Sequence, residues 1–167
     1  LLRRALEAID KLEHVEAKAR EPIAVVGMSC RFPGGVRNPD DYWSLLQNGR
    51  SGICDIPSDR WDDEDFYDPD LATPGTMYTK RGGFLDKVDG FDAPFFRISP
   101  REAATLDPQH RLLLEATWEA LEDAGQAPDG LVNSETGVFV GITSSDFSRL
   151  LRVGREDSDV YSATGTA

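Results

Sequence analysis

The chain has 167 residues, enough for one domain with a fair core, and its 40% hydrophobic and 9% aromatic content suits a folded protein rather than a disordered one. A net charge of −12 at pH 7 excludes a nucleic-acid surface or an anionic membrane as the main partner, and no apolar run approaches the roughly 20 residues that span a bilayer. Cys30 and Cys54 form neither a disulfide framework nor a metal spacing, and Leu1-Leu2-Arg3-Arg4 is no signal-peptide start, so a cytoplasmic setting is expected.

Residues 1–20 read as an amphipathic helix. Leu1, Ala5, Ala8, Leu12, Val15 and Ala19 follow the 4-3 spacing of a coiled-coil seam, and Leu2, Leu6 and Ile9 widen it. A solitary helix this short is marginal in water and needs a partner surface. Packing on its own domain would satisfy it, but the regular heptad favours self-association or docking to another chain. His14 falls beside the seam.

At Pro22 the pattern changes. Ile23, Val25 and Val26 form an apolar run closed by Gly27, the signature of a buried strand opening an α/β domain. Asn38-Pro39-Asp40-Asp41 then starts a helix with a cap, a proline in the first turn and acids at the positive end of the dipole. Tyr42, Trp43, Leu45 and Leu46 are its expected buried face, and Gly49 its stop. Residues 51–90 read as loop-rich. Asp62 to Asp65 lack the alternating spacing and central glycine of a calcium loop and read as a solvated acidic loop.

Ser99-Pro100-Arg101-Glu102 is a capping box with proline at the first helical position. A second start at Asp107-Pro108 opens the strongest helix of the chain, ending at Gly125, with Leu114, Trp118 and Leu121 on one face and Leu113, Thr117, Ala120 and Ala124 beside it. Pro128-Asp129-Gly130 predicts a turn, Thr136 to Ile142 a strand, and Ser145 to Val153 a further helix. This order predicts an α/β layered domain. There is no Walker loop, no Gly-x-Gly-x-x-Gly and no nucleophile elbow, which removes a small hydrolase or nucleotide-binding protein.

Four segments, in order, resemble the ketosynthase (beta-ketoacyl synthase) domain of modular type I polyketide synthases. They are Pro22-Ile-Ala-Val-Val-Gly-Met-Ser-Cys-Arg-Phe-Pro-Gly-Gly35, Phe91-Asp-Ala-Pro-Phe-Phe-Arg-Ile-Ser-Pro-Arg-Glu-Ala103, Asp107-Pro-Gln-His-Arg-Leu-Leu-Leu-Glu115 with Trp118-Glu-Ala-Leu-Glu-Asp-Ala-Gly125, and Thr136-Gly-Val-Phe-Val-Gly141. The resemblance covers residues 22–167. It implies the N-terminal portion of a thiolase-like layered α-β-α-β-α fold at residues 21–167, with residues 1–20 as a leading coiled-coil docking, dimerisation or linker helix. The face of that helix is Leu1, Leu2, Ala5, Leu6, Ala8, Ile9, Leu12, Val15 and Ala19.

The implied reaction is a decarboxylative Claisen condensation between a Cys-bound acyl chain and a malonyl-type extender on an acyl carrier protein. The implied nucleophile sits in a Cys-Ser-Ser-rich turn, and two histidines lie in Gly-rich motifs downstream. None of these motifs occurs here, and the tail Tyr161 to Ala167 resembles the segment preceding the nucleophile turn. The cysteine and both histidines are therefore expected beyond residue 167, in a longer polypeptide of which this chain is a piece. No directly bound cofactor or metal is expected, since substrates ride on the phosphopantetheine arm of the carrier protein. Expected partners are a second copy, through the ketosynthase and the leading helix, the carrier protein and an upstream synthase subunit. Cys30, Cys54 and His110 are weighed as substitutes and read as structural instead. The alternative function is a non-catalytic unit that pairs synthase subunits through residues 1–20.

Overall fold

Asn38 starts the first helix after the leading segment by accepting the Asp41 N–H on Oδ1 at 2.8 Å, while Asp41 Oδ2 accepts the Arg37 N–H at 3.0 Å. This reciprocal cap satisfies donors that a helix start otherwise leaves orphaned. The computed structural model describes residues 20–144 and 146–152, with Arg3, Ile9, Lys11 and Glu13 of the leading segment, all four helical.

The helix capped by Asn38 is α1 (Pro39–Gln47), and Gly49 follows it at φ +57°. Of its expected buried face only Leu45 is buried. Trp43 and Leu46 are half exposed or more, and Tyr42 is exposed at its rim while its ring meets Phe32 at 4.8 Å. Strands β1 (Ile53–Asp55) and β2 (Arg81–Gly83) pair antiparallel, Ile53 opposite Gly83 and Asp55 opposite Arg81. They close the base of a segment whose sequence reads as loop-rich. Inside it Lys80 bonds Asp63 at 3.1 Å and lies 4.4 Å from the Tyr67 ring centroid, and Trp61 meets Phe84 edge-on at 5.8 Å.

Helix α2 (Pro100–Ala103) is a single turn, capped by Ser99 Oγ on the Glu102 N–H at 3.2 Å. Helix α3 (Pro108–Asp123) starts at the predicted Asp107 cap, and Gly125 follows it at φ +63°. Phe95 packs edge-on against Trp118 of α3 at 4.7 Å, and the Phe91 and Phe96 rings stack behind it at 5.3 Å. The predicted turn is a 3-10 helix, Pro128–Leu131, and the last helix is α4 (Asp146–Arg152). The core gathers at Val36, Leu45, Ala93 and Leu106, beside the buried Thr105 and Asp107.

The expected buried strand at 22–27 and the expected strand Thr136 to Ile142 do not form among the described residues. Residues 22–27 and 136–142 run without ladder pairing, and Ile23 and Phe139 are 94% and 96% exposed. A strand exists only through a neighbour that takes its N–H and C=O groups, and β1 and β2, the paired strands among the described residues, satisfy each other. The apolar runs are surfaces made for burial, but residues 20–144 do not supply what covers them.

Candidate functional site

Glu115, Glu119 and Asp123 recur every fourth residue of α3 and stack along one side of the helix. The segment after the first apolar run lies against this stripe. Met28 donates its N–H to Asp123 Oδ2 at 2.8 Å, and Ser29 Oγ donates to Glu119 Oε2 at 2.7 Å. Arg31 completes the clamp: Nη2 pairs with Glu119 Oε1, while Nη1 donates to the Cys30 carbonyl at 3.0 Å and to the Arg37 carbonyl. One guanidinium therefore closes the turn 30–37 and ties it to the helix, a use that suits its planar fork of donors. Gly27 sits where a Cβ would fall 2.2 Å from the Ala120 carbonyl oxygen, so only glycine permits this approach.

Burial opposes the Glu119 charge, but the hydrogen bonds from Arg31 and Ser29 and the Arg31 charge outweigh it and hold the carboxyl below its ordinary range. The bond to Glu119 in turn raises the Arg31 guanidinium. Burial also pushes the Cys30 thiol up; Arg31 opposes the shift, and Asp41 and Glu119 add to it. Arg31 is adjacent in sequence, yet its charge is paired with Glu119, and a raised thiol carries little thiolate. A cleft of about 370 Å³ opens beside the clamp, with Arg37 and Lys87 on its walls offset by Asp86 and Glu115.

Residues 20–167 match the family described as beta-ketoacyl synthase, N-terminal domain. The chain belongs to the beta-ketoacyl synthase family. Its ketosynthase sequence is 52% identical over 147 residues to a phenolphthiocerol/phthiocerol polyketide synthase subunit of Mycobacterium tuberculosis, covering 88% of this chain and 10% of that one. It is 49% identical over 175 residues to a second phenolphthiocerol/phthiocerol polyketide synthase subunit of the same species, covering 100% of this chain and 8% of that one. The ketosynthase from module 6 of the bacillaene synthase of Bacillus subtilis superposes with a TM-score of 0.66 at 43% identity, over 74% of this chain and 20% of that one. The fold is thus the thiolase-like fold of ketosynthase domains, and the superposed part of this chain covers about a fifth of that solved chain.

Within this ketosynthase segment, Cys30 is half-buried in the clamp and Cys54 is exposed on β1 opposite Gly82. Neither is bonded to a histidine among the described residues, so no nucleophile–base pair forms there. His110 lies in the first turn of α3, its N–H donating to the Asp107 carbonyl at 2.9 Å. Of the leading-helix face, Ile9 is helical and half exposed, whereas Leu1, Leu2, Ala5, Leu6, Ala8, Leu12, Val15 and Ala19 lie outside the described residues, as do His14 and the tail 161–167. No helix among the described residues is long and apolar enough to cross a membrane. The Arg31–Glu119 clamp is not predicted by the sequence motifs. Its signal is nonetheless present in the acidic stripe at 115, 119 and 123, facing an arginine in a turn 88 residues earlier.

Proposed function

We propose that this chain is the N-terminal part of a condensing domain in a modular type I polyketide synthase. The match of residues 20–167 to the beta-ketoacyl synthase N-terminal domain carries this reading, and relatives that are polyketide synthase subunits support it. In the intact domain a cysteine beyond residue 167 attacks the thioester of an acyl carrier protein, takes the acyl chain and releases the carrier's thiol. A malonyl-type extender on a second carrier then loses CO2. Its enolate carbon attacks the Cys-bound thioester carbonyl, leaving a β-ketoacyl carrier and a free thiolate. Two histidines, also beyond residue 167, stabilise the enolate and oxyanion charge, a role for which placed donors contribute several kcal/mol, on the order of 3.

The phosphopantetheine arm of the carrier brings both substrates, and no metal or directly bound cofactor takes part. The synthase works as a homodimer in the cytoplasm, with residues 1–20 pairing the subunits or docking an upstream one. The alignment to the second mycobacterial relative supports including that helix, because it extends over the residues 1–19 that the family match leaves out.

The test is mass spectrometry of the intact synthase subunit after incubation with an acyl thioester and a carrier-bound extender. Acylation of a cysteine beyond residue 167, with CO2 release and a β-ketoacyl carrier, is the expected result. Labelling of Cys30 or Cys54 that also abolishes turnover would move the nucleophile into this segment. A synthase that dimerises but never acylates would leave residues 1–20 as a non-catalytic pairing unit.

A further inference from the structure

The run Asp107-Pro108-Gln109-His110-Arg111 does more than start α3, because two of its side chains reach off the helix. Gln109 Nε2 donates to the Ser144 carbonyl at 3.0 Å, and the Arg111 guanidinium carbon lies 6.0 Å from the Phe147 ring centroid. Both side chains are braced at their own end. The buried Asp107 accepts the Gln109 N–H at 2.8 Å with its Nε2 at 3.4 Å from the same oxygen, and Arg111 Nε donates to the Leu106 carbonyl at 2.9 Å. A helix cap alone would end at the Gln109 N–H; here the amide and the guanidinium continue across to another segment. That segment is the corner where the unpaired stretch 136–144 gives way to α4.

We propose that Gln109 and Arg111 are positioning residues of the condensation, bracketing the Ser144–Phe147 corner to α3 and so fixing where α4 begins. The inference rests on the proposed function, in which the nucleophile follows residue 167. The residue types fit the task. Gln109 offers a neutral N–H to a carbonyl, and Arg111 can present its flat face to a ring while its Nε stays bonded.

The experiment uses the intact synthase and reads condensation kcat, KM for the carrier-bound extender, and Tm. Gln109→Glu keeps the shape but turns an acceptor toward the Ser144 carbonyl, and lowers kcat by about 10- to 100-fold with KM nearly unchanged, the mark of misaligned reacting groups. Gln109→Lys restores a donor and recovers most of that rate. Arg111→Leu lowers kcat by roughly 3- to 10-fold, since the ring contact is the weaker arm. A wild-type kcat in Gln109→Glu, a Gln109→Lys variant as slow as Gln109→Glu, or a rate loss matched by the fraction unfolded would each overturn the inference. A wild-type synthase that performs no condensation would instead overturn the proposed function on which it rests.

Discussion

Two regions of this chain behave in opposite ways. The turn 28–37 and α3 satisfy each other through Met28, Ser29 and Arg31 on Glu119 and Asp123, and the loop between β1 and β2 is closed by its own ladder and by Lys80 on Asp63. The apolar runs 22–27 and 136–142 find no ladder partner among the described residues, with Ile23, Val25, Val26, Val138 and Phe139 turned to solvent. The difference is one of range. Polar clamps and caps close within the residues at hand, whereas a sheet strand is finished only by its neighbours, and this chain covers only part of the ketosynthase it superposes on.

The largest effect expected from this comparison is global. Residues 1–167 alone should bind a dye specific for exposed apolar surface and melt broadly, because this much contiguous apolar exposure is foreign to a stable monomer. A sharp two-state melt without dye binding would break the comparison. Phe139→Ala sharpens it further. If this run becomes a covered strand in the intact domain, the change should cost about 3–5 kcal/mol there by chemical denaturation. In the 167-residue chain, where the ring is exposed, its cost should be within about 0.5 kcal/mol.

Gly27 lies at the seam between the two regions. Gly27→Val forces a branched side chain onto the Ala120 carbonyl and should cost about 3 kcal/mol, since neither the helix backbone nor the clamped turn yields easily. Differential denaturation of the intact domain measures it. An effect as small as that of a surface substitution would mean that residues 27–29 do not dock on α3 as described.

What is legible in the sequence follows the same division. Asn38, Ser99 and Asp107 can be read as caps because each cap is settled within three residues, and all three accept the expected N–H groups. The apolar runs can be read as burial-seeking but not as unpaired, because periodicity reports a preference and not the presence of a partner. β1 and β2 escape the pattern since Ile53-Cys54-Asp55 and Arg81-Gly82-Gly83 alternate poorly and glycine weakens strands. The Arg31–Glu119 bond joins residues 88 apart, beyond the reach of local spacing.

The clamp predicts a smaller, pH-dependent effect. Arg31→Met or Glu119→Gln should each cost about 1–2 kcal/mol at neutral pH, the figure for a charge-assisted bond discounted for partial solvent exposure. A double-mutant cycle should show a coupling of about 1 kcal/mol, and its absence would mean the pair is incidental. Glu119 titrates below its ordinary value, so its contribution is complete above the unfolded carboxyl pKa of about 4.3 and is lost as the pH falls through the folded one. The difference in stability between wild type and Glu119→Gln should therefore shrink in acid below that value and stay constant between about pH 6 and pH 8, to within about 0.3 kcal/mol.

The smallest effect tests the self-sufficient region from the opposite side, by improving it. Arg97 ends the turn that buries Ala93, donating its N–H to the Pro94 carbonyl at 3.0 Å, and it does so at φ +57° with an exposed side chain. A residue with a Cβ costs about 1–2 kcal/mol in that left-handed region. Glycine avoids the strain but gives up about 0.5–1 kcal/mol of unfolded-chain entropy, so Arg97→Gly should gain roughly 0.5 kcal/mol. The guanidinium makes no ion pair among the described residues, so little is lost with it. A stability loss on this substitution would show that Arg97 makes a contact with the remainder of the ketosynthase, and would move the turn 91–98 from the self-sufficient region to the one completed by its neighbours.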